Sequence, residues 1–217
     1  MSFSSEVKEE LSRHLGKSRH CQIAELAALI AFDGKVQISE SGCDLFLDSE
    51  NELLNTKYEL LLKKLFDFCN GEKEEAERRQ QKIYETVKMW DEDHQIPMIT
   101  ETVNGLLLLQ SCCKRAYIRG AFLAGGSISD PNKSYHFEIV CRTEPQAEQL
   151  RDTINSFDMD AKIVERKKHF VVYLKEGAQI VDILNVMEAH VALMNLENVR
   201  ILKEMRNSVN RKVNCET

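Results

Sequence analysis

Two stretches of the same design, ending 92 residues apart at Gly34 and Gly126, constrain the fold of this chain more than any other feature. In the first, Ala24, Ala27, Ala28 and Ala31 recur at i, i+3, i+4 and i+7 and so share one helical face. In the second, Ala116, Gly120 and Ala124 repeat every four positions through Tyr117-Ile118-Arg119-Gly120-Ala121-Phe122-Leu123-Ala124-Gly125-Gly126-Ser127. A stripe of small side chains lets a neighbouring helix come to or below the usual interaxial spacing of roughly 8–10 Å. Each stretch stops at glycine and runs into strand-like sequence. The pair reads as the central helices of a duplicated fold.

The other elements fit around that pair. Ser4 or Ser5 can cap a first helix running to about Leu15, with Gly16 as its stop. Arg19 to Phe32 forms the first small-faced helix. Lys35 to Ser39 and Cys43 to Asp48 alternate about Glu40-Ser41-Gly42, a hairpin pattern. An amphipathic helix follows from Glu50 to about Cys69, with Leu53, Leu54, Tyr58, Leu61, Leu62, Leu65 and Phe66 on its buried side, and stops at Gly71. The charged run Glu72 to Arg79 reads as a solvated loop or edge segment. Lys82 to Trp90 alternates again, with Ile83, Val87 and Met89 inward and Lys82, Tyr84, Thr86 and Lys88 outward, so a strand is expected there. After the second small-faced helix come a turn at 129–132, a strand from Ser134 to Arg142 and a helix from Glu144 to Phe157, with Pro145 in its first turn. A hairpin over 161–166 and 169–174 and a helix from Glu176 to Glu188 follow. The order helix, two strands, helix, further strands thus occurs twice. The expected class is α+β, with halves over 1–95 and 96–190 around a shared helix pair. Residues 191–217 form a last helix, with Ala192, Leu196, Val199, Leu202, Met205 and Val209 on the face that closes the domain.

Composition works by exclusion. With 217 residues, 43% of them hydrophobic and 29% charged, the chain can bury a core. No apolar run approaches the ~18 residues that span a bilayer, and the acidic, polar start Met1 to Glu10 is not a secretory signal. Seven cysteines, an odd number without a C-x-x-C pair, argue against a disulfide framework and for a reducing cytoplasm. Vicinal Cys112 and Cys113 read as packing side chains, since neighbours on a helix diverge. His14, His20, His94, His136, His169 and His190 show no H-x-x-x-H or H-E-x-x-H spacing, so no metal and no cofactor is expected. Nor is 123–127 a phosphate loop, because its glycines follow a helix and no G-K-[ST] appears. A formal charge of −6 makes the chain a poor candidate for holding nucleic acid by charge alone.

Leu26 to Gly34 and Ile118 to Gly126 resemble the paired LAGLIDADG motifs of homing endonucleases. That resemblance implies two pseudo-symmetric halves whose antiparallel sheets form a saddle over DNA. More closely, Phe3-Ser4-Ser5-Glu6-Val7-Lys8-Glu9-Glu10-Leu11, Arg115 to Ser127, and Arg206-Asn207-Ser208-Val209-Asn210-Arg211-Lys212-Val213-Asn214-Cys215-Glu216-Thr217 resemble the WhiA family of bacterial regulators. The likeness extends over essentially the whole chain. It implies a transcription factor of sporulation and cell division, cytoplasmic and nucleoid-associated, in which a degenerate homing-endonuclease domain precedes a helix-turn-helix. Glu216-Thr217 falls where that family continues into the helix-turn-helix, so DNA, the implied partner, is expected to be held mainly by residues beyond these. A protein co-regulator is a second candidate partner.

A nuclease of this type needs a carboxylate at the end of each central helix, converging on divalent metal at the scissile phosphates. Asp33 stands there in the first motif. The matching position in the second is Gly125, and the nearest acid, Asp130, lies beyond the turn. One carboxylate cannot hold a two-ion geometry, so no catalysis is expected; an active endonuclease and a pure protein-interaction module are the rival readings. Asp33 at a helix C-terminus opposes the macrodipole by about 0.3–1 kcal/mol, so a compensating partner is expected. The outward sheet positions are Lys35, Gln37, Lys82, Tyr84, Lys88, Arg142, Lys162 and Arg166, with Asp44, Asp48 and Glu138 among them. So modest a basic excess predicts at most a weak, salt-sensitive duplex contact.

Overall fold

The computed structural model describes residues 2–39, 42–47, 50–66, 73–94 and 96–215. Ser2 opens α1 (Phe3–Arg13), its hydroxyl accepting the Ser5 N–H at 3.1 Å, and Val7 and Leu11 enter the core. The second helix, α2 (Arg19–Asp33), is buried without interruption from Leu26 to Phe32, as its nearly all-round apolar sequence requires. It passes directly into β1 (Gly34–Ser39), which pairs antiparallel with β2 (Gly42–Leu47) in the register Val36↔Leu45. Asn51 caps α3 (Glu52–Leu65) by accepting the Leu53 N–H at 3.1 Å. Then come α4 (Lys73–Thr86) and a short antiparallel pair, β3 (Trp90–Asp91) with β4 (Ile96–Pro97).

The second half repeats the plan with a fuller sheet. α5 (Ser111–Gly125) runs into β5 (Gly126–Ile128), followed by β6 (Phe137–Cys141), α6 (Glu144–Asn155), β7 (Lys162–Arg166) and β8 (His169–Leu174). These strands form an antiparallel sheet of order β5-β6-β8-β7, and α7 (Gly177–Met187) and α8 (His190–Cys215) follow. Among the described residues no helix is long and apolar enough to cross a membrane.

The two small-faced helices pack on each other as expected. A Cβ built on Gly120 would lie 2.8 Å from the Ala28 Cβ and 2.9 Å from the Glu25 carbonyl oxygen, so only hydrogen fits there. Charge is buried at the same contact. Glu25, fully excluded from solvent, accepts Arg119 Nε at 3.0 Å and Nη2 at 3.2 Å, and lies 3.0 Å from Lys57 Nζ of α3. Arg119 also donates to the Met187 carbonyl at 3.2 Å and to Glu188 at 2.7 Å. Lys57 donates to the carbonyls of Leu11 and His14. Desolvation draws the Lys57 ammonium below its ordinary range, and Glu25 pulls it back. His14 Nε2 meets Glu188 at 3.1 Å, while desolvation, and then Arg119, hold its imidazole below the ordinary 6.5. Three helices and the α7–α8 corner are thereby tied to one carboxylate.

Several sequence expectations change. The cap of α1 is Ser2, ahead of the expected Ser4 or Ser5. Residues 82–86 of the segment expected as a strand from Lys82 to Trp90, and most of the charged run before it, belong to α4; a turn follows at 87–88, and Trp90 alone of that segment is extended, in β3. Ile83, Tyr84 and Val87 sit at i, i+1 and i+4, so in so short a window the helical period fits as well as alternation, and the preceding Glu, Arg and Gln residues favour helix. Tyr84 is fully buried with its ring 6.2 Å from that of Trp90, and Lys88 occupies a left-handed turn at φ 60°. Lys82, Tyr84 and Lys88 therefore leave the sheet face. The strand expected from Ser134 starts instead at Phe137. In α8, Ala192 and Leu196 are buried, and Lys203 still reaches the Pro131 carbonyl at 2.6 Å, but Leu202, Met205 and Val209 stay exposed, so its apolar face closes the domain only over the first turns. Expectations resting on Glu40, Ser41, Asp48, Cys69, Gly71, Glu72, Glu216 and Thr217, and on the side chains of Gln37 and Asp44, lie outside the described residues.

Gly120→Val forces the central helices apart and is expected to cost about 1–3 kcal/mol, read as a lower urea midpoint. Glu25→Gln takes the carboxylate from buried Lys57 and leaves Arg119 with Glu188 alone, and is expected to cost about 3–5 kcal/mol; an unchanged midpoint would show that the network contributes nothing. Because the folded state lowers the His14 pKa, the unfolded chain binds its proton first on acidification. That contribution is complete above pH 6.5 and is lost as pH falls through 6.5 towards the lowered value. His14→Gln is expected to flatten this part of a stability–pH curve.

Candidate functional site

The first candidate lies where α2 and α5 end. Asp33 is the last residue of α2, and its carboxylate is 3.8 Å from an Arg142 guanidinium nitrogen. Buried Gln146 of α6 sets this up: its amide donates to the Ala31 carbonyl at 3.0 Å, and its oxygen accepts the Arg142 N–H at 2.8 Å. One side chain thus satisfies a last-turn carbonyl of α2 and positions the residue that faces Asp33. The partner expected for Asp33 from the helix dipole is this arginine, a cation beside the one carboxylate of the pair.

Gly125, at the equivalent place on α5, is held by packing. A Cβ there would lie 2.7 Å from the Val140 carbonyl oxygen, a contact with strand backbone that cannot yield by a rotamer change. Asp130 does not substitute for it. Its carboxylate accepts the backbone and side-chain N–H of Asn132 at 2.9 and 3.0 Å, and these bonds hold it below the usual carboxylate range.

The outward sheet face is mixed in charge. Phe137, Ile139 and Cys141 point into the core, so Glu138 and Val140 face away, abreast of Tyr173 and Lys162 in one row and of Val171 and Val164 in the next. Glu138 lies 3.0 Å from Arg166 and 2.9 Å from His136, whose ring stacks on Tyr173. Of the residues expected on this face, Lys35 is exposed opposite Phe46, while Arg142, Lys162 and Arg166 each have a carboxylate neighbour in Asp33, Asp160 and Glu138.

At the other end of the helix pair is a cluster that sequence reasoning did not assemble. His20 and Cys21 of α2 meet Cys112 and Cys113 of α5, with one ligand-type atom from each residue and all four within 4.8 Å of one another. Burial pushes the Cys21 thiol up to about 12, and the sulfurs of Cys112 and Cys113 push the same way. The signal was available, since His20 to Cys112 and Cys21 to Cys113 repeat the offset of 92 residues that relates Gly34 to Gly126.

Residues 114–206 match the family model described as the WhiA LAGLIDADG-like domain. Over its whole length the chain is 48% identical to a probable cell division protein WhiA of Lachnoclostridium phytofermentans, covering 74% of that protein. It is 47% identical to the one of Alkaliphilus oremlandii, covering 73%. The crystal structure of full-length DUF199/WhiA from Thermatoga maritima superposes with a TM-score of 0.67 over 99% of this chain and 75% of that one, at 20% identity. The homing endonuclease I-DmoI, solved in complex with its target DNA in the presence of magnesium, shares the fold at a TM-score of 0.52 and 12% identity, over 79% of this chain and 98% of its own. Identity of 47–48% across the whole chain, with the match over 114–206, means that the chain belongs to the WhiA family and carries its LAGLIDADG-like domain.

Proposed function

We propose that this is a non-catalytic LAGLIDADG-type domain of a bacterial DNA-binding regulator of cell division and sporulation, acting in the cytoplasm at the nucleoid. The halves over 1–95 and 96–190 serve as scaffold and accessory duplex contact. Promoter affinity resides mainly in a helix-turn-helix of the kind the family resemblance implies. The observation that carries this reading is the contact of Gly125 with the Val140 backbone: no acid fits there, and Arg142 stands beside Asp33 where a nuclease would need a divalent cation. The mixed outward face supports a weak duplex contact, since its arginines already have carboxylate neighbours and base readout needs several positioned donors.

A second reading, a docking surface for a protein co-regulator, is favoured by α8, where Val191, Met194, Ile201, Leu202 and Met205 are all more than half exposed.

Fluorescence anisotropy with duplex DNA is expected to give micromolar or weaker, salt-sensitive binding for this chain, and much tighter binding for a chain extended through the helix-turn-helix. Equal affinities would overturn the division of labour. Incubation with duplex DNA and magnesium is expected to leave the DNA intact, and Gly125→Asp is expected to destabilise the fold without creating a nuclease. Cleavage that disappears in Asp33→Ala would overturn the non-catalytic reading.

A further inference from the structure

We propose that His20, Cys21, Cys112 and Cys113 form a closed single-ion site for a thiophilic divalent cation, zinc foremost, that clasps the N-terminal ends of the two central helices. The side chains come from the second and third residues of α2 (Arg19–Asp33) and of α5 (Ser111–Gly125), so each helix contributes an equivalent pair. His20 Nδ1 is 3.1 Å from the Cys113 sulfur, 3.4 Å from that of Cys21 and 3.9 Å from that of Cys112. A tetrahedral zinc ion with Zn–S of about 2.3 Å and Zn–N of about 2.0–2.1 Å sets its ligand atoms about 3.5–3.8 Å apart, so small side-chain shifts suffice. An iron–sulfur cluster interposes inorganic sulfide and needs its cysteines farther apart than this arrangement holds them.

The donor set fits that ion and not a hard one. Three thiolates and an imidazole are the ligands of structural zinc sites, whereas magnesium and calcium take oxygen. Thiolates held by a metal at the first turn of two helices lie at the positive ends of both dipoles. Arg115 lines the adjoining cleft, of about 340 Å³, together with Cys21 and Cys112; it offsets the net negative charge, and the cleft gives the ion an entry path. Vicinal Cys112 and Cys113 can serve together because both side chains lean towards the helix N-terminus, where α2 supplies the other two ligands. Cys141, the remaining free cysteine among the described residues whose side chain is placed, lies apart in the core.

Bound there, the ion would fasten one half to the other about 18 Å of helix away from Asp33, counting the twelve residues from Cys21. It would brace the pair from the end opposite the Arg142 contact.

The test uses the whole chain purified under reducing conditions. Elemental analysis is expected to find one zinc per chain. Cobalt(II) added to the metal-free protein is expected to give the strong visible d–d bands and sulfur-to-cobalt charge transfer of tetrahedral thiolate coordination, displaced by equimolar zinc. Zinc is expected to raise the thermal midpoint. Cys113→Ser is expected to abolish the cobalt spectrum and Cys141→Ser to leave it intact. His20 is exposed, so His20→Gln keeps the fold, and it is expected to weaken cobalt binding by at least an order of magnitude. A reduced protein that takes up no cobalt or zinc overturns the proposal. So does a full cobalt spectrum in both His20→Gln and Cys113→Ser, or three thiols here that stay equally reactive with and without zinc.

Discussion

The closeness of α2 and α5 governs everything else in this fold. Gly120 has no room for a Cβ against Ala28 and the Glu25 carbonyl, so the two backbones meet almost directly. Backbones that close leave little space for side chains, yet the contact contains a carboxylate. Glu25 is tolerable there because Arg119 grips it with two nitrogens and Lys57 approaches it as well. The desolvation of such a group is offset only by good geometry and further hydrogen bonds, which Arg119 and Lys57 find on the carbonyls of Met187, Leu11 and His14. The network fixes how the helices are rotated against each other, since sliding either by one residue would strand a buried charge.

That fixed register makes the two ends of the helix pair into sites, and it makes them different. At the C-terminal end the halves have diverged: Asp33 on one side, a glycine pressed onto the Val140 backbone on the other, and Arg142 close by. At the N-terminal end they have stayed alike, each offering two soft ligand-type side chains from the first helical turn. The first end is asymmetric, with one carboxylate. The second is nearly symmetric, with an equivalent pair from each helix.

The outward sheet face follows the same logic of local pairing. A face that binds duplex DNA through charge needs cations free to exchange counterions for phosphates. Here Arg166 and His136 converge on Glu138, and Arg142 turns to Asp33, so the charges answer one another within the protein. What remains is exposed Val140, a stacked His136–Tyr173 pair and scattered lysines.

Much of this was legible in the amino-acid order. The small-residue stripes and terminal glycines identified the helix pair; the alternation at 35–39, 43–47, 161–166 and 169–174 identified the hairpins; and Gly125 opposite Asp33 marked the unequal helix ends. These features are encoded in backbone requirements and short periodicities, which act over a few residues. The segment over 82–90 failed because a nine-residue window fits two periods, and only burial of Tyr84 against Trp90 selects one of them. Tertiary structure alone decided the partners of the lone groups. Glu25 with Arg119 and Asp33 with Arg142 are separated by about a hundred residues in the chain, and no local pattern specifies such a distance. They meet because α5, with only hydrogen at Gly120, lets α2 lie directly against it at Ala28 and Glu25.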